Sequence, residues 1–448
     1  MKISEAYQKE ISYLETIGNV SQQPNYQDKI LNKKLFIIRL KYLLRHLGNP
    51  HKKIKKYIHI GGTSGKGSTA NFIHEIIIAS GKKSFLFTSP FLTETIEKYK
   101  INKNLTSIGD FVWAINKVKP AINECSKKSN FIPSYFEVCF AIAIILYHKN
   151  NCEYFVSEVG LGGEFDATNI VDKKIITAIT HVDYDHMHIL GNSLKQIATT
   201  KSKIISRKSS FFTVEKRPHI RSIFINECRN KNSSYHYVKP NYSNLKLNKE
   251  NFEFSYQNIK YSLYHWGQHQ VENAILAIEI AKKLKIDKKS ISRGIRNTKI
   301  PGRFEIISHK PTIILDVAHN YDKLKTVIDN IGLINYKKLH IIFALAENKD
   351  NKKPIQLLSQ YANRITITKF FNPYRKCLNP KYIYNRLVRQ KPNIDVCIDL
   401  DPWKALENSI KHSGSKDIIL ICGSFYLVGE LRKKWHDCQK IIKNKKVI

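Results

Sequence analysis

Apolar positions along the chain change their period several times, and each change predicts an element. Over residues 1–50 they recur at helix spacing, as in Leu35, Ile38, Tyr42 and Leu43, and the pattern stops at Gly48-Asn49-Pro50. Alternation then begins. A short apolar run over 57–60 enters a glycine-rich turn, a helix is expected over 68–80 with Gly81 closing it, and a strand over 84–88. Further strands are expected over 154–159 and 175–182, with helical patterns over 136–147 and 194–205. Apolar strands alternating with amphipathic helices predict a mainly parallel sheet covered on both faces. Residues 206–265 are polar, basic and rich in Tyr, with short alternating runs, and predict a small β-rich insert or a decorated sheet edge. A helix with an apolar stripe follows over 271–284. Ile300-Pro301-Gly302-Arg303 reads as a linker, after which strands are expected over 312–317, 339–345, 364–368, 395–398 and 417–421. The expected fold class is α/β, two doubly wound domains: 1–299, carrying the insert, and a Rossmann-like 300–448.

Composition sharpens this only in part. The chain has 448 residues, 42% of them hydrophobic and 25% charged, enough apolar material for two cores. The longest apolar run, over 140–147, is too short to cross a bilayer. No apolar stretch follows Met-Lys-Ile-Ser-Glu, so a cytoplasmic location and no membrane partner are expected. Seventy-four Lys and Arg against 37 Asp and Glu give a formal charge of +37. A polyanion partner is one reading of that excess. The other is genomic: Lys, Asn and Ile are all abundant, as AT-rich coding makes them, and the charge is spread over the whole chain. The eight cysteines form no Cys-x-x-Cys pair and fit buried free thiols rather than a disulfide framework or zinc site.

Three constellations carry candidate chemistry. Gly61-Gly62-Thr63-Ser64-Gly65-Lys66-Gly67-Ser68-Thr69 lies between a strand and a helix, the context of a phosphate loop. Its glycines free backbone N–H groups for phosphate oxygens, Lys66 would reach the terminal phosphates, and Ser68 or Thr69 could approach a magnesium ion. Gly67 follows Lys66 where the standard pattern has Ser or Thr. Second, Ser89, Glu158, Asp185 and His186 fall at strand carboxyl ends, where doubly wound sheets bind ligands, and they suit a magnesium shell. Third, Asp316 and His319 sit at the end of the second domain's first expected strand and, with Arg303, suggest a nucleotide clamped between domains.

These residues resemble the Mur-ligase superfamily and, within it, the folylpolyglutamate synthase/dihydrofolate synthase family. The likeness runs in order from about Leu40 to Arg432. It is carried by Gly62–Thr69, Thr88-Ser-Pro-Phe-Leu92, Phe136-Glu137, Glu158-Val-Gly-Leu-Gly-Gly163 and Asp166-Ala-Thr-Asn169. Asp185-His186, Gly267–Ala274, Pro301-Gly-Arg303, Leu315–Asn320 and Gly423–Glu430 continue it. The resemblance implies an ATP-dependent ligase that makes an acyl phosphate on dihydropteroate or a folate and transfers it to L-glutamate. It implies that Gly62, Gly65, Lys66, Gly67 and Ser68 hold ATP phosphates, and that Asn273, Arg303 and Asp316 contact the nucleotide. Ser89, Glu158 and His186 are the implied Mg2+ ligands. Phe136, Glu137, Asp166 and Ala167 match positions near the pterin. Lys66, His186, His319 and Lys201 are the implied catalytic set, Lys201 falling where the family carries a carbamylated lysine. A monomer is expected.

The chain departs from the family at Glu164, usually Arg, and at Phe91, usually His; Asp183-Tyr184 and the surroundings of Lys201 also differ. These positions bear on the choice of acceptor. Two rival readings are another Mur-type ligase, such as one for peptidoglycan precursors, and a basic nucleic-acid-binding NTPase. Against the first, only about sixty, mainly helical residues precede the loop, where such ligases carry a UDP-sugar domain. Against the second, no nucleic-acid-binding signature occurs and the charge is diffuse, so nucleic acid is not an expected partner.

Overall fold

The computed structural model describes residues 3–20, 34–247, 251–347, 351–372 and 375–446. The expected helical opening consists of Ile3–Val20 and Lys34–His46, and its stretch 21–33 lies outside the described residues. Eight strands then build the first sheet: β1 Lys56–Gly61, β2 Ser84–Phe87, β3 Tyr99–Ile101, β4 Asn104–Leu105, β5 Tyr154–Glu158, β6 Ile176–Ile179, β7 Ser210–Thr213 and β8 Ser234–Tyr237. Their order is β4-β3-β2-β5-β1-β6-β7-β8. The run from β2 to β8 is parallel, and β3 and β4 add an antiparallel edge.

Period two along β1 shows why the sheet is covered on both faces. Tyr57 joins the core shared with the helices Ile108–Ser126 and Tyr135–Lys149, whereas Ile58 and Ile60 join the core shared with Lys66–Ala79 and Gln268–Lys283. The central strands β1, β2, β5 and β6 are therefore buried almost throughout, as a parallel sheet requires.

The region 206–265 contains both a sheet edge and a separate small sheet. β7 and β8 extend the large sheet in parallel, with the helix Pro218–Asn230 between them. Only β9 Tyr242–Leu247, β10 Phe252–Tyr256 and β11 Ile259–Leu263 form a separate antiparallel sheet. The polar sequence of β8 reflects its edge position, where its residues stay partly exposed.

The second sheet follows the linker: β12 Glu305–His309, β13 Thr312–Leu315, β14 Leu339–Phe343, β15 Arg364–Ile367, β16 Asp395–Ile398 and β17 Ile418–Cys422. Their order is β12-β13-β17-β14-β15-β16, parallel except for β12. The strand expected to open this sheet, β13, is thus its second, since β12 hairpins back onto it.

A buried ion pair inside the second lobe holds the arginine that reaches across to the first. Arg432, fully buried, donates to Glu305 through Nε at 3.1 and 3.0 Å and Nη2 at 2.9 Å, and through Nη1 to Thr93 Oγ1 at 3.3 Å. Glu305 Oε2 also accepts from the linker amide of Gly302 at 2.8 Å. Gly429 lies against the Leu92 carbonyl so closely that a Cβ would come within 1.9 Å of the oxygen. Among the described residues no helix is long and apolar enough to cross a membrane. Arg432→Met leaves a buried carboxylate facing an apolar group and is expected to cost about 3–5 kcal/mol in urea unfolding. Arg432→Met combined with Glu305→Leu is expected to recover much of that loss; equal loss in both would show that the pair matters only through packing.

Candidate functional site

β2, β5, β1 and β6 are adjacent and parallel, so their carboxyl ends lie side by side at one edge of the sheet. The loop after β1 runs from Gly61 to the helix Lys66–Ala79, with Gly65 as its N-cap at φ 83°. Gly62 is at φ 139°, and a Cβ there would fall 1.9 Å from Thr180 Oγ1. Thr180, at the end of β6, donates through that hydroxyl to Ser64 O at 2.5 Å. Thr63 N donates to His181 O at 2.7 Å, so the loop is stitched to the strand beside it. At the other flank Asn71 Nδ2 donates to Gly67 O at 2.8 Å. Lys66 Nζ rests on Thr63 O at 3.4 Å, Ser68 is nearly buried, and the buried hydroxyl of Thr69 has no hydrogen-bond partner. The loop is therefore backbone-lined and preshaped, with its lysine folded over it.

Glu158 ends β5 beside this loop. A Cβ on Gly67 would lie 3.1 Å from Glu158 Oε2, and the same oxygen accepts from Ser89 N at 3.1 Å. Burial raises the Glu158 pKa; Lys66, the Ser89 amide and Arg303 pull it back down, and Asp166 pushes it up. Lys66 and Glu158 of the first lobe thus share an electrostatic neighbourhood with Arg303 of the linker. Arg303 in turn feels Asp316 and Glu158, and both oppose the lowering that burial imposes on its pKa. Its guanidinium lies 5.2 Å from the Phe425 ring centroid. Asp316 accepts from Phe304 N at 2.8 Å and Ala318 N at 2.7 Å. His319 bonds Val317 O through Nδ1 at 2.9 Å, 6.2 Å from the Phe425 ring. The second lobe's candidates therefore form one group.

Lys201 is brought to the phosphate loop from the helix Leu194–Ser202. Its Nζ donates to Gly62 O at 3.0 Å. Burial, then the Lys66 charge, lower its pKa to about 7. Asn273, from the helix Gln268–Lys283, faces Gly65: a Cβ there would meet its Oδ1 at 2.3 Å. That Oδ1 is buried without a hydrogen-bond partner, while Nδ2 donates to Gln270 Oε1 at 3.3 Å. Phe136 and Asp166 both lie against Gly160, where a Cβ would be 2.5 Å from the Phe136 ring and 3.1 Å from Asp166 Oδ2. Asp166 caps the short turn Ala167–Ile170 through Thr168 N at 3.0 Å, which buries Ala167 beside it.

One expected residue is placed differently. Glu137 is buried, and its carboxylate is occupied by Arg39 at 2.8 Å and by Ser134 N at 2.9 Å, so here it caps the helix Tyr135–Lys149. His186 adopts a left-handed φ of 50°, with its ring 3.7 Å from Asp185. Among the described residues no three His, Cys, Asp or Glu side chains gather as a metal-binding group. Ser89 and Glu158 are adjacent through the bond from Ser89 N. Sequence reasoning missed Thr180 and Asn71, which fix the loop's carbonyls; a hydroxyl at the carboxyl end of β6 was the available signal for the first.

Comparison with known proteins decides the family. The Mur ligase middle domain matches residues 60–281, and the Mur ligase glutamate ligase domain matches residues 302–425. The chain is 28% identical over 418 residues to the dihydrofolate synthase/folylpolyglutamate synthase of Bacillus subtilis, covering 88% of this chain and 94% of the relative. The crystal structure of folylpolyglutamate synthase from Thermotoga maritima superposes with a TM-score of 0.77 at 30% identity, covering 90% of this chain and 93% of that one. The chain belongs to the folylpolyglutamate synthase/dihydrofolate synthase family of Mur ligases. E. coli FolC, solved in complex with DHPP and ADP, shares the fold: TM-score 0.76 at 22% identity, 88% of this chain and 92% of that one.

Against this Mur ligase background the departures acquire physical roles. Phe91 offers its ring face to Lys98 Nζ at 4.1 Å. Glu164 works through its backbone: its N donates to Thr200 O at 3.2 Å and its O accepts from Asn169 Nδ2 at 3.0 Å, which ties the glycine turn to the helix bearing Lys201. Gly65→Ala combines a left-handed φ with a clash on Asn273, and at least a tenfold loss of ADP affinity is expected from equilibrium titration. Unchanged affinity would show that the loop adapts freely.

Proposed function

We propose that this Mur ligase joins L-glutamate to dihydropteroate, to a folate, or to both, driven by ATP through an acyl phosphate. The observation that carries the reading is the shared neighbourhood of Lys66, Glu158 and Arg303, which sets phosphate-binding and carboxylate groups of one lobe against a cation of the other. In the first step an acceptor carboxylate oxygen attacks the γ-phosphorus of ATP and the bond to ADP breaks. In the second the amine of L-glutamate attacks the acyl carbon, the C–O bond to phosphate breaks, and the amine loses a proton. Phosphate is a far better leaving group than oxide, so the residues need chiefly to position the reactants and neutralise charge.

The loop Gly62–Ser68 would hold the phosphates through backbone N–H groups, and Lys66 would leave Thr63 O to neutralise developing charge. Asn273 Oδ1, a buried acceptor without a partner, would take a donor of the nucleotide. Arg303 and Asp316 would bind the nucleotide from the linker side, with His319 beside them. Glu158 and Ser89 fit a magnesium ion in the manner that ion favours, one carboxylate and a hydroxyl with phosphate oxygens and water as the remaining ligands. Bound there, the ion would supply charge neutralisation at the transferring phosphoryl group. His186 would complete that shell. Phe136, Asp166 and Ala167 would face the acceptor's ring system. The chain would act as a monomer in the cytoplasm.

Lys201 is suited to carbamylation because a pKa near 7 leaves a substantial neutral-amine fraction at neutral pH, and only the neutral amine adds carbon dioxide. A 13C-bicarbonate NMR experiment is expected to show a carbamate signal that grows from pH 6 to pH 8 and is absent in Lys201→Arg. A signal that is the same in the variant would count against Lys201 as its site.

The activity itself is tested by incubating the protein with ATP, magnesium, L-glutamate and either dihydropteroate or tetrahydrofolate. A mass gain of one glutamyl unit on at least one acceptor is expected, and Lys66→Ala is expected to lose it by 100-fold or more while its thermal unfolding stays unchanged. No glutamylated product with either acceptor, while ATP still turns over with another amine, would overturn the assignment.

A further inference from the structure

A second concentration of positive charge lies where the β3–β4 edge of the first lobe meets the last described residues of the chain. A cavity of about 240 Å³ is lined by Lys100, Lys103, Lys299, Lys445 and Lys446, with Glu75 the one acidic residue among the described lining residues. The lysines come from separate parts of the chain. Lys100 lies on β3, Lys103 in the turn to β4, and Lys299 immediately before the linker. Lys445 and Lys446 follow the last helix, Cys438–Asn444, and Leu105 N fixes their backbone by donating to Lys445 O at 2.7 Å. Folding thus brings five like charges around one hollow, an arrangement that is unfavourable until an anion enters it. Burial lowers the pKa of Lys100, with Glu75 and Glu97 only partly opposing it.

We propose that this cavity is a binding site for a compact oligophosphate, separate from the nucleotide site. Its volume is below that of pockets that enclose drug-sized ligands, which favours a small anion over a whole nucleotide. Ammonium groups are compact point charges with three donors each, well matched to phosphate oxygens that present acceptors in several directions. The cavity also has a direct line to the phosphate loop. Lys100 Nζ donates to Asn71 Oδ1 at 3.0 Å, and Asn71 Nδ2 donates to Gly67 O at 2.8 Å, so one side chain separates the cavity wall from the loop.

The probe is tripolyphosphate, titrated calorimetrically without divalent cations into the full chain carrying Lys66→Ala, so that the phosphate loop competes less. Saturable binding at one site per chain is expected. Adding Lys103→Glu and Lys299→Glu is expected to weaken it at least tenfold, and Lys103→Gln with Lys299→Gln to weaken it less, with circular dichroism unchanged in each. Absence of saturable binding in the Lys66→Ala chain, or equal affinity in folded charge-reversed protein, would overturn the proposal. The readout is binding alone, so it stands or falls independently of glutamate ligation.

Discussion

A single buried carboxylate organises the catalytic edge of this ligase. Glu158 sits at the end of a fully buried strand, where an isolated negative charge is costly unless donors and cations surround it. Three groups do so, each on a different segment: Lys66 of the phosphate loop, the amide of Ser89 after β2, and Arg303 of the linker. The strand order puts β2, β5 and β1 next to one another, and that adjacency is what lets one carboxylate meet the first two, while the linker brings the third. The same crowding fits Gly67 in a position where phosphate loops more often carry a hydroxyl, since a Cβ there would lie 3.1 Å from Glu158 Oε2.

The linker residue is held by the architecture of the second lobe. Gly302, adjacent to Arg303, donates to Glu305, and Glu305 is locked by Arg432 from the helix Phe425–Arg432. Arg432 also reaches Thr93, four residues beyond Ser89. Arg432 therefore ties the segment after Ser89, through Thr93, to the carboxylate that holds the Gly302 amide beside Arg303. A ligase that must hold an acyl phosphate away from water while an amine approaches benefits from lobes that dock in a defined register.

Much of this was legible in the sequence, and the gaps have physical causes. Strand–helix alternation gave the parallel sheets because buried strands read as plain apolar runs. β12 was missed because it opens on Glu305, whose burial depends on Arg432, 127 residues away. For β7 and β8 the pattern left insert and sheet edge open, because their sheet membership rests on pairings with β6 and on each other rather than on local pattern. The phosphate loop was evident from its glycines and lysine. The closeness of Asn273 to Gly65 was not, since only the packing of the helix Gln268–Lys283 on Lys66–Ala79 creates it. Glu137 shows the converse: a motif match pointed to a ligand, but Arg39 and the Ser134 cap occupy its oxygens.

On this reading Glu158 of the first lobe and Arg303 of the linker act as one electrostatic unit toward the nucleotide. A double-mutant cycle on ATP affinity, using Glu158→Gln, Arg303→Met and the pair, measures this directly. A coupling of about 1 kcal/mol or more is predicted, as for groups sharing one network. Strictly additive effects, with coupling indistinguishable from zero, would contradict it.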